Sequence, residues 1–170
     1  MTDAARAALI ASLACVVVVA EAEGQSTNQD GRYLGLSGLT AVSPRVMVNW
    51  DMAVTMRGGA TRSEFELDLR GAFELGLRGA GVGLDEMDPA QLECVVSLTY
   101  EESPEGTVVS SRTVRLLTPN TPGDALGAWT VSWSRGETRV TSRDALSGAE
   151  VGSDCAGAFE RDWLRANGAR

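Results

Sequence analysis

The sequence has no histidine, and all fifteen of its basic side chains are arginine, because lysine does not occur. Imidazole is the usual general base near neutral pH and the usual nitrogen ligand of zinc and iron. Mechanisms built on it lose their best residue here. A Schiff-base nucleophile and a phosphate-loop lysine are excluded outright. Isoleucine occurs once, at Ile10, while Val, Ala, Gly and Arg abound, which a GC-rich coding sequence produces without any functional reason. Positive charge is scarce overall: the net charge is -8 over 170 residues. That balance argues against nucleic acid as a partner, since phosphate binding needs a basic surface. A membrane-spanning run is missing as well. The apolar stretch Ala7 to Ala20 ends at Glu21 and is shorter than the ~20 residues a spanning helix needs.

That stretch suits an export signal. The leading residues MTDAAR carry the α-amino group, Asp3 and Arg6, a slightly positive start. A secretory apolar region needs only about 7–15 residues, followed by small residues at the cleavage site. Ala20-Glu21-Ala22 supplies that pattern, so residues 1–22 read as a signal peptide, with cleavage after Ala20 as a near rival. Lipid attachment at Cys15 would need an aliphatic residue three places earlier. Ser12-Leu13-Ala14-Cys15 is out of register for that, and the apolar run continues past the cysteine. The expected location is therefore periplasmic or secreted, with no membrane span after cleavage and lipidation at Cys15 as the lesser alternative. About 148 residues remain, enough for one domain around one core.

Residues 23–38, EGQSTNQDGRYLGLSG, lack periodicity and read as an exposed, flexible linker. A single domain is expected over residues 39–167. A first strand runs from about Val42 to Val54, with Val46, Val48 and Trp50 alternating against Met47, Asn49 and Asp51. Pro44 near its start suits an edge. Thr61-Arg62-Ser63-Glu64 fits a capping box opening a helix to about Arg78. Phe65, Leu69, Ala72, Phe73 and Gly76 make its buried face. Leu67, Leu75 and Leu77 widen that face, suggesting cover on more than one side. Gly79 and Gly81 terminate the helix, and a short extended piece, Val82 to Leu84, follows.

QLECVVSLTYEE is the clearest strand, with Leu92, Cys94, Val96, Leu98 and Tyr100 on one face. SPEG is a turn, and Thr107 to Leu117 forms an antiparallel partner. ALGAWTVSWSR is another strand, with Trp129, Val131 and Trp133 on a single face. Arg135-Gly136-Glu137 reads as the start of one more hairpin, running into Thr138 to Thr141. The last element is a helix from about Ser147 to Ala166, with Val151, Cys155, Phe159 and Trp163 as its apolar stripe and Asn167-Gly168 as its end. The order β-α-β-β-β-β-α, with short hairpin loops, implies an α+β two-layer sandwich. Its sheet would be mainly antiparallel, of four or five strands, with both helices on one face.

Cys94 and Cys155 each lie on the apolar face of their element, and those faces must meet in such a sandwich. In an oxidising compartment they should form a disulfide. The bridge would close a loop of about 60 residues and contribute roughly 4 kcal/mol by chain entropy. Two buried free thiols are the alternative. Acidic residues cluster at Asp85, Glu86 and Asp88 and at Glu101, Glu102 and Glu105, but without any calcium-loop spacing, and turns simply solvate them. Asp51 stands beside Trp50 at a strand end. With the Asp85 to Asp88 turn it is the candidate pair for carboxylate-based glycan hydrolysis. Serine is abundant, yet no G-x-S-x-G occurs and no His could activate it. The glycines of GLRGAGVG end a helix rather than open one, the wrong dipole end for phosphate. Trp129 and Trp133 read as core, but with Asp51 they are the candidate binding face if exposed. No catalytic, cofactor or metal site is assigned.

The export signal, FELDLRGAFELGLRGAGVGL as a helix running into a short strand, the later antiparallel strands and the closing helix GAFERDWLRAN together resemble small exported bacterial α+β domains. In arrangement the chain is similar to modules such as the N-terminal domain of TolB, CsgG-like lipoproteins and penicillin-binding-protein activator lipoproteins. The resemblance covers most of residues 39–167, is one of pattern, and places no functional residue. It departs from the lipoprotein members in lacking a good lipobox. It implies a non-catalytic envelope interaction or assembly domain whose partner is another envelope protein. The alternatives are the hydrolase above and a small secreted inhibitor presenting the loop TPNTPGD.

Overall fold

The computed structural model describes residues 31–51, 61–101, 107–119, 129–142 and 145–168. The expected signal peptide lies outside the described residues. A short 3-10 helix, Gly31–Leu36, leads into β1 (Ala41–Trp50), α1 (Arg62–Gly79) and β2 (Gly83–Leu84). Then come β3 (Gln91–Glu101), β4 (Thr107–Pro119), β5 (Trp129–Ser142) and α2 (Gly148–Ala166). The architecture is α+β in the order β-α-β-β-β-β-α, with a five-stranded sheet ordered β2-β1-β3-β4-β5. The sheet is mixed. β1 pairs parallel with both β2 and β3, whereas β3–β4 and β4–β5 are antiparallel. Helix α1 is the reason for the parallel half: a helical crossover returns the chain in the direction it left, and a tight turn cannot.

Both helices cover one face. Cross-strand register puts Trp50 beside Leu98 and Val46 beside Cys94. Trp50 meets Phe65 of α1 edge-on, with ring centroids 5.4 Å apart, and Cys94 is bonded to Cys155 of α2. Leu92, Cys94, Val96 and Leu98 of β3 are buried under the helices, as the alternation predicts. The other sheet face carries Arg45, Asn49, Thr99 and Ser134 and meets no helix among the described residues.

Local sequence explains each end. Thr61 Oγ1 accepts from the Glu64 amide and Glu64 Oε2 accepts from the Thr61 amide at 2.7 Å, the reciprocal pair of a capping box. Gly81 ends α1 in the left-handed region, φ 84°. Pro44 is tolerated for a directional reason. Ser43 and Asp51 donate to Ala90 and Leu98 on the β3 side. By alternation the Pro44 nitrogen faces the other way, beyond the end of the two-residue β2.

Four expectations are corrected. Tyr33 and Leu36 of the expected linker pack on the core: Leu36 is fully buried, and Asn167 bonds both its carbonyl and the Gly38 amide. Leu67 and Leu75 stand 70% and 71% exposed, so α1 is covered on one side only, through Phe65, Leu69, Phe73 and Leu77. No hairpin turns at Arg135-Gly136-Glu137. β5 runs unbroken there, with Gly136 opposite Thr113, because β4 is long enough to pair with all of it. Finally, Trp129, Val131 and Trp133 do not share a face. A bulge sets Leu116 opposite Trp133 and Leu117 opposite Val131, leaving Ser132 as the extra residue. One extra residue reverses the phase of a strand. Trp133 is accordingly 4% exposed and Trp129 44%.

The helices touch through small residues. A Cβ on Gly148 or Gly152 would overlap the carbonyl oxygen of Phe65 or Leu69, and one on Gly76 would overlap the Ala156 methyl. Gly148, Gly152 and Ala156, spaced by four, form a groove on α2 that brings its backbone against α1.

Candidate functional site: the cleft between β5 and α2

The sequence-derived candidates scatter. Trp133 is core, edge-on to Phe159 at 5.6 Å. Trp129 pairs with Pro119 at one end of the sheet, while Asp51 follows β1 at the other end. Asp51 lines a shallow recess with Asn49, Arg62 and Thr99. There Arg62 is committed to the Val48 carbonyl and Glu66, and Asn49 to Ser97. Asp51 and the acidic turn do not converge. The Asp85 amide bonds the Val42 carbonyl, nine residues before Asp51 along β1. At strand rise that separates them by roughly 30 Å, against the ~5–9.5 Å of a hydrolytic carboxylate pair. The pair is corrected on that ground. Residues 120–124 of the loop assigned to an inhibitor lie outside the described residues. Among the described residues, no helix is long and apolar enough to cross a membrane.

Cys94 and Cys155 are joined, with Cα atoms 6.2 Å apart. Beside Cys155 a cleft of about 160 Å³ opens between β4, β5 and α2. Its walls carry Arg112, Arg135, Glu137, Asp154 and Arg161. Arg112 occupies the inward phase of β4, between Ser110 and Val114, so its guanidinium lies under α2 with 6% of the side chain exposed. A charge there must be paired. Arg112 Nη1 bonds Asp154 Oδ2 of α2, and Asp154 also receives Arg139 Nη1 at 3.1 Å. Glu137 closes a ring by pairing with Arg139 Nε and lying 3.4 Å from Arg112 Nη2. The Glu137 bond holds the Arg139 guanidinium above its ordinary pKa. This ring fastens β4, β5 and α2 together at a sheet edge.

The ring is incompletely satisfied. Arg112 Nη2 is buried and has no hydrogen-bond partner, since Glu137 is near enough for an ion pair but outside bonding geometry. Another carboxylate of α2, Asp162, is buried and accepts from the Trp133 indole at 3.2 Å and from Arg135 Nη1 at 3.3 Å. Sequence reasoning passed over Arg112 and Asp162. A signal existed for both: an arginine in the apolar phase of a strand, and an aspartate three residues beyond Phe159 on the apolar stripe of a helix.

No family model matches the chain, and no curated protein does. Solved structures of similar arrangement include a PelC dodecamer from Paraburkholderia phytofirmans, 17% identical over 75% of this chain and 90% of that one, TM-score 0.42. A minor lipoprotein from Acinetobacter baumannii is 14% identical over 75% of this chain and 93% of its own, TM-score 0.35. An uncharacterized protein is 14% identical over 78% and 94%, TM-score 0.36. No residue role is carried across from any of them.

Proposed function

We propose that this chain is a non-catalytic interaction domain of the cell envelope, working in the periplasm or after secretion, with another envelope protein as partner. The observation that carries the reading is β5. It is the terminal strand of the sheet, fourteen residues long, and displays Trp129, Val131 and Val140 to solvent. A long edge strand bearing apolar groups is a template for added chain, which monomers normally blunt. The disulfide supports an oxidising compartment, in line with the export signal. The absence of His and Lys and the separation of Asp51 from Asp85 favour binding over hydrolysis.

The test is affinity capture from the native envelope, run with the wild-type protein and with a Val131→Arg/Val140→Arg variant. Both positions are exposed, so the variant should fold. A reproducible partner that the variant loses is the expected result. Turnover of cell-wall glycan by the purified protein, with no partner retained, would overturn the proposal.

A further inference from the structure

The geometry points to the β5–α2 cleft as a binding site for a carboxylate group. The inference goes beyond the proposed function, because it stands whether that carboxylate belongs to a partner chain or to a free acid. Three features converge. Arg112 offers Nη2, buried and without a hydrogen-bond partner, and an arginine nitrogen can only donate. Leaving such a donor unfilled is costly, so a site that fills it gains affinity. Arg161 stands at the rim and forms no ion pair among the described residues, so a second guanidinium is uncommitted. The charge count then selects the ligand. Arg112, Arg135 and Arg161 face Glu137 and Asp154, one positive charge in excess. Adding Arg139 and Asp162, which pair with this set, and the next charges out, Arg165 beside Asp162 and Glu150 facing Arg139, leaves the excess unchanged. A monoanion neutralises the cleft, whereas a phosphate dianion over-fills it.

The volume, about 160 Å³, admits a carboxylate with a short stem. Glu137 Oε2 lies 3.4 Å from the unfilled donor. Glu137 is 53% exposed on the edge strand and holds Arg112 without a hydrogen bond. An incoming carboxylate would take the Nη2 bond that Glu137 fails to make and leave Glu137 with Arg139. The planar guanidinium fork suits that geometry.

The test titrates the disulfide-bonded protein, followed by backbone NMR, with acetate, inorganic phosphate, a short peptide with a free C-terminus and the same peptide amidated. Saturable shifts at Gly136 and Ala158 with acetate are expected, and phosphate should bind no more tightly. Arg161→Gln, at an exposed position that leaves the fold intact, should weaken acetate about tenfold, the value of one charge-assisted bond. A free-terminus peptide stronger than its amide would identify a chain carboxylate as the source. Equal peptides with retained acetate binding would identify a free acid. No saturable shift with acetate or peptide, unchanged affinity in Arg161→Gln, or tighter binding of phosphate would overturn the inference. Loss of carboxylate binding with partner capture intact overturns this inference alone. Failed capture with carboxylate binding intact overturns only the interaction reading.

Discussion

The Trp133 indole nitrogen lies 3.2 Å from Asp162 Oδ2, and both side chains are buried between β5 and α2. A donor with one hydrogen and a buried acceptor are each answered by the other. Arg135 Nη1, at 3.3 Å, supplies the countercharge. Removing the carboxylate leaves the indole N–H and Arg135 unanswered. Asp162→Ala should therefore cost about 2–3 kcal/mol, from the lost charged bond and the stranded donor. Chemical denaturation checks this. A stability within error of wild type would show that water replaces the carboxylate at no cost.

The bulge at Ser132 makes a separate, optical prediction. Trp133 should resist acrylamide quenching and Trp129 should not. Of the four tryptophans, Trp129→Phe ought to remove the most readily quenched emission and Trp133→Phe a poorly quenched part. Equal quenching of the two would contradict the phase reversal between Leu116 and Leu117.

Glycines on the two helices should respond in opposite directions. At Gly152 an added Cβ meets the Leu69 carbonyl oxygen, so Gly152→Ala should cost about 1–3 kcal/mol through overpacking. At Gly71, on the exposed face of α1, it meets nothing, so Gly71→Ala should stabilise by roughly 0.5–1 kcal/mol through helix propensity. Paired thermal melts decide the matter. Equal effects would mean the helices do not pack backbone to backbone.

Reduction of the Cys94–Cys155 bond releases a loop with a sequence separation of 61. The fully oxidised protein should be more stable than the reduced one by about 4 kcal/mol in the chain-entropy account. Two titratable thiols in the denatured, unreduced protein lacking residues 1–22, and hence Cys15, would sink the bridge.

Acid dependence enters through the α1 cap. The Thr61 amide, with its hydroxyl, holds the Glu64 carboxyl below its ordinary value of 4.5. A depressed carboxyl contributes stability above its unfolded value, and that contribution fades as pH falls through the folded one. Glu64→Gln should therefore lower stability at neutrality, converge on wild type in acid, and so flatten the stability profile below pH 4.5. A profile as steep as wild type would remove Glu64 from the acid response.

Much of the architecture is legible locally. The capping box at Thr61, the period of Leu92 to Leu98 and the four-residue stripe from Val151 are each decided within a few residues. They depend on backbone bonds and on which side of one element is apolar. The meeting of Cys94 and Cys155 follows almost as directly, since two apolar faces had to be joined.

The rest needed distant partners. Whether β1 runs parallel to β3, where Ser132 bulges and how Leu36 fills the core depend on pairing between segments far apart in the chain. The same holds for the cleft. Arg112, Glu137, Asp154 and Arg161 come from β4, β5 and α2, and each alone is an ordinary charged side chain. By itself the sequence determined the cap of α1, the apolar sides of β3 and α2, and the absence of imidazole and amine chemistry. Only the tertiary structure decided that Arg112 would be buried with one nitrogen unanswered, because burial and the distance between charges are properties of the packed chain.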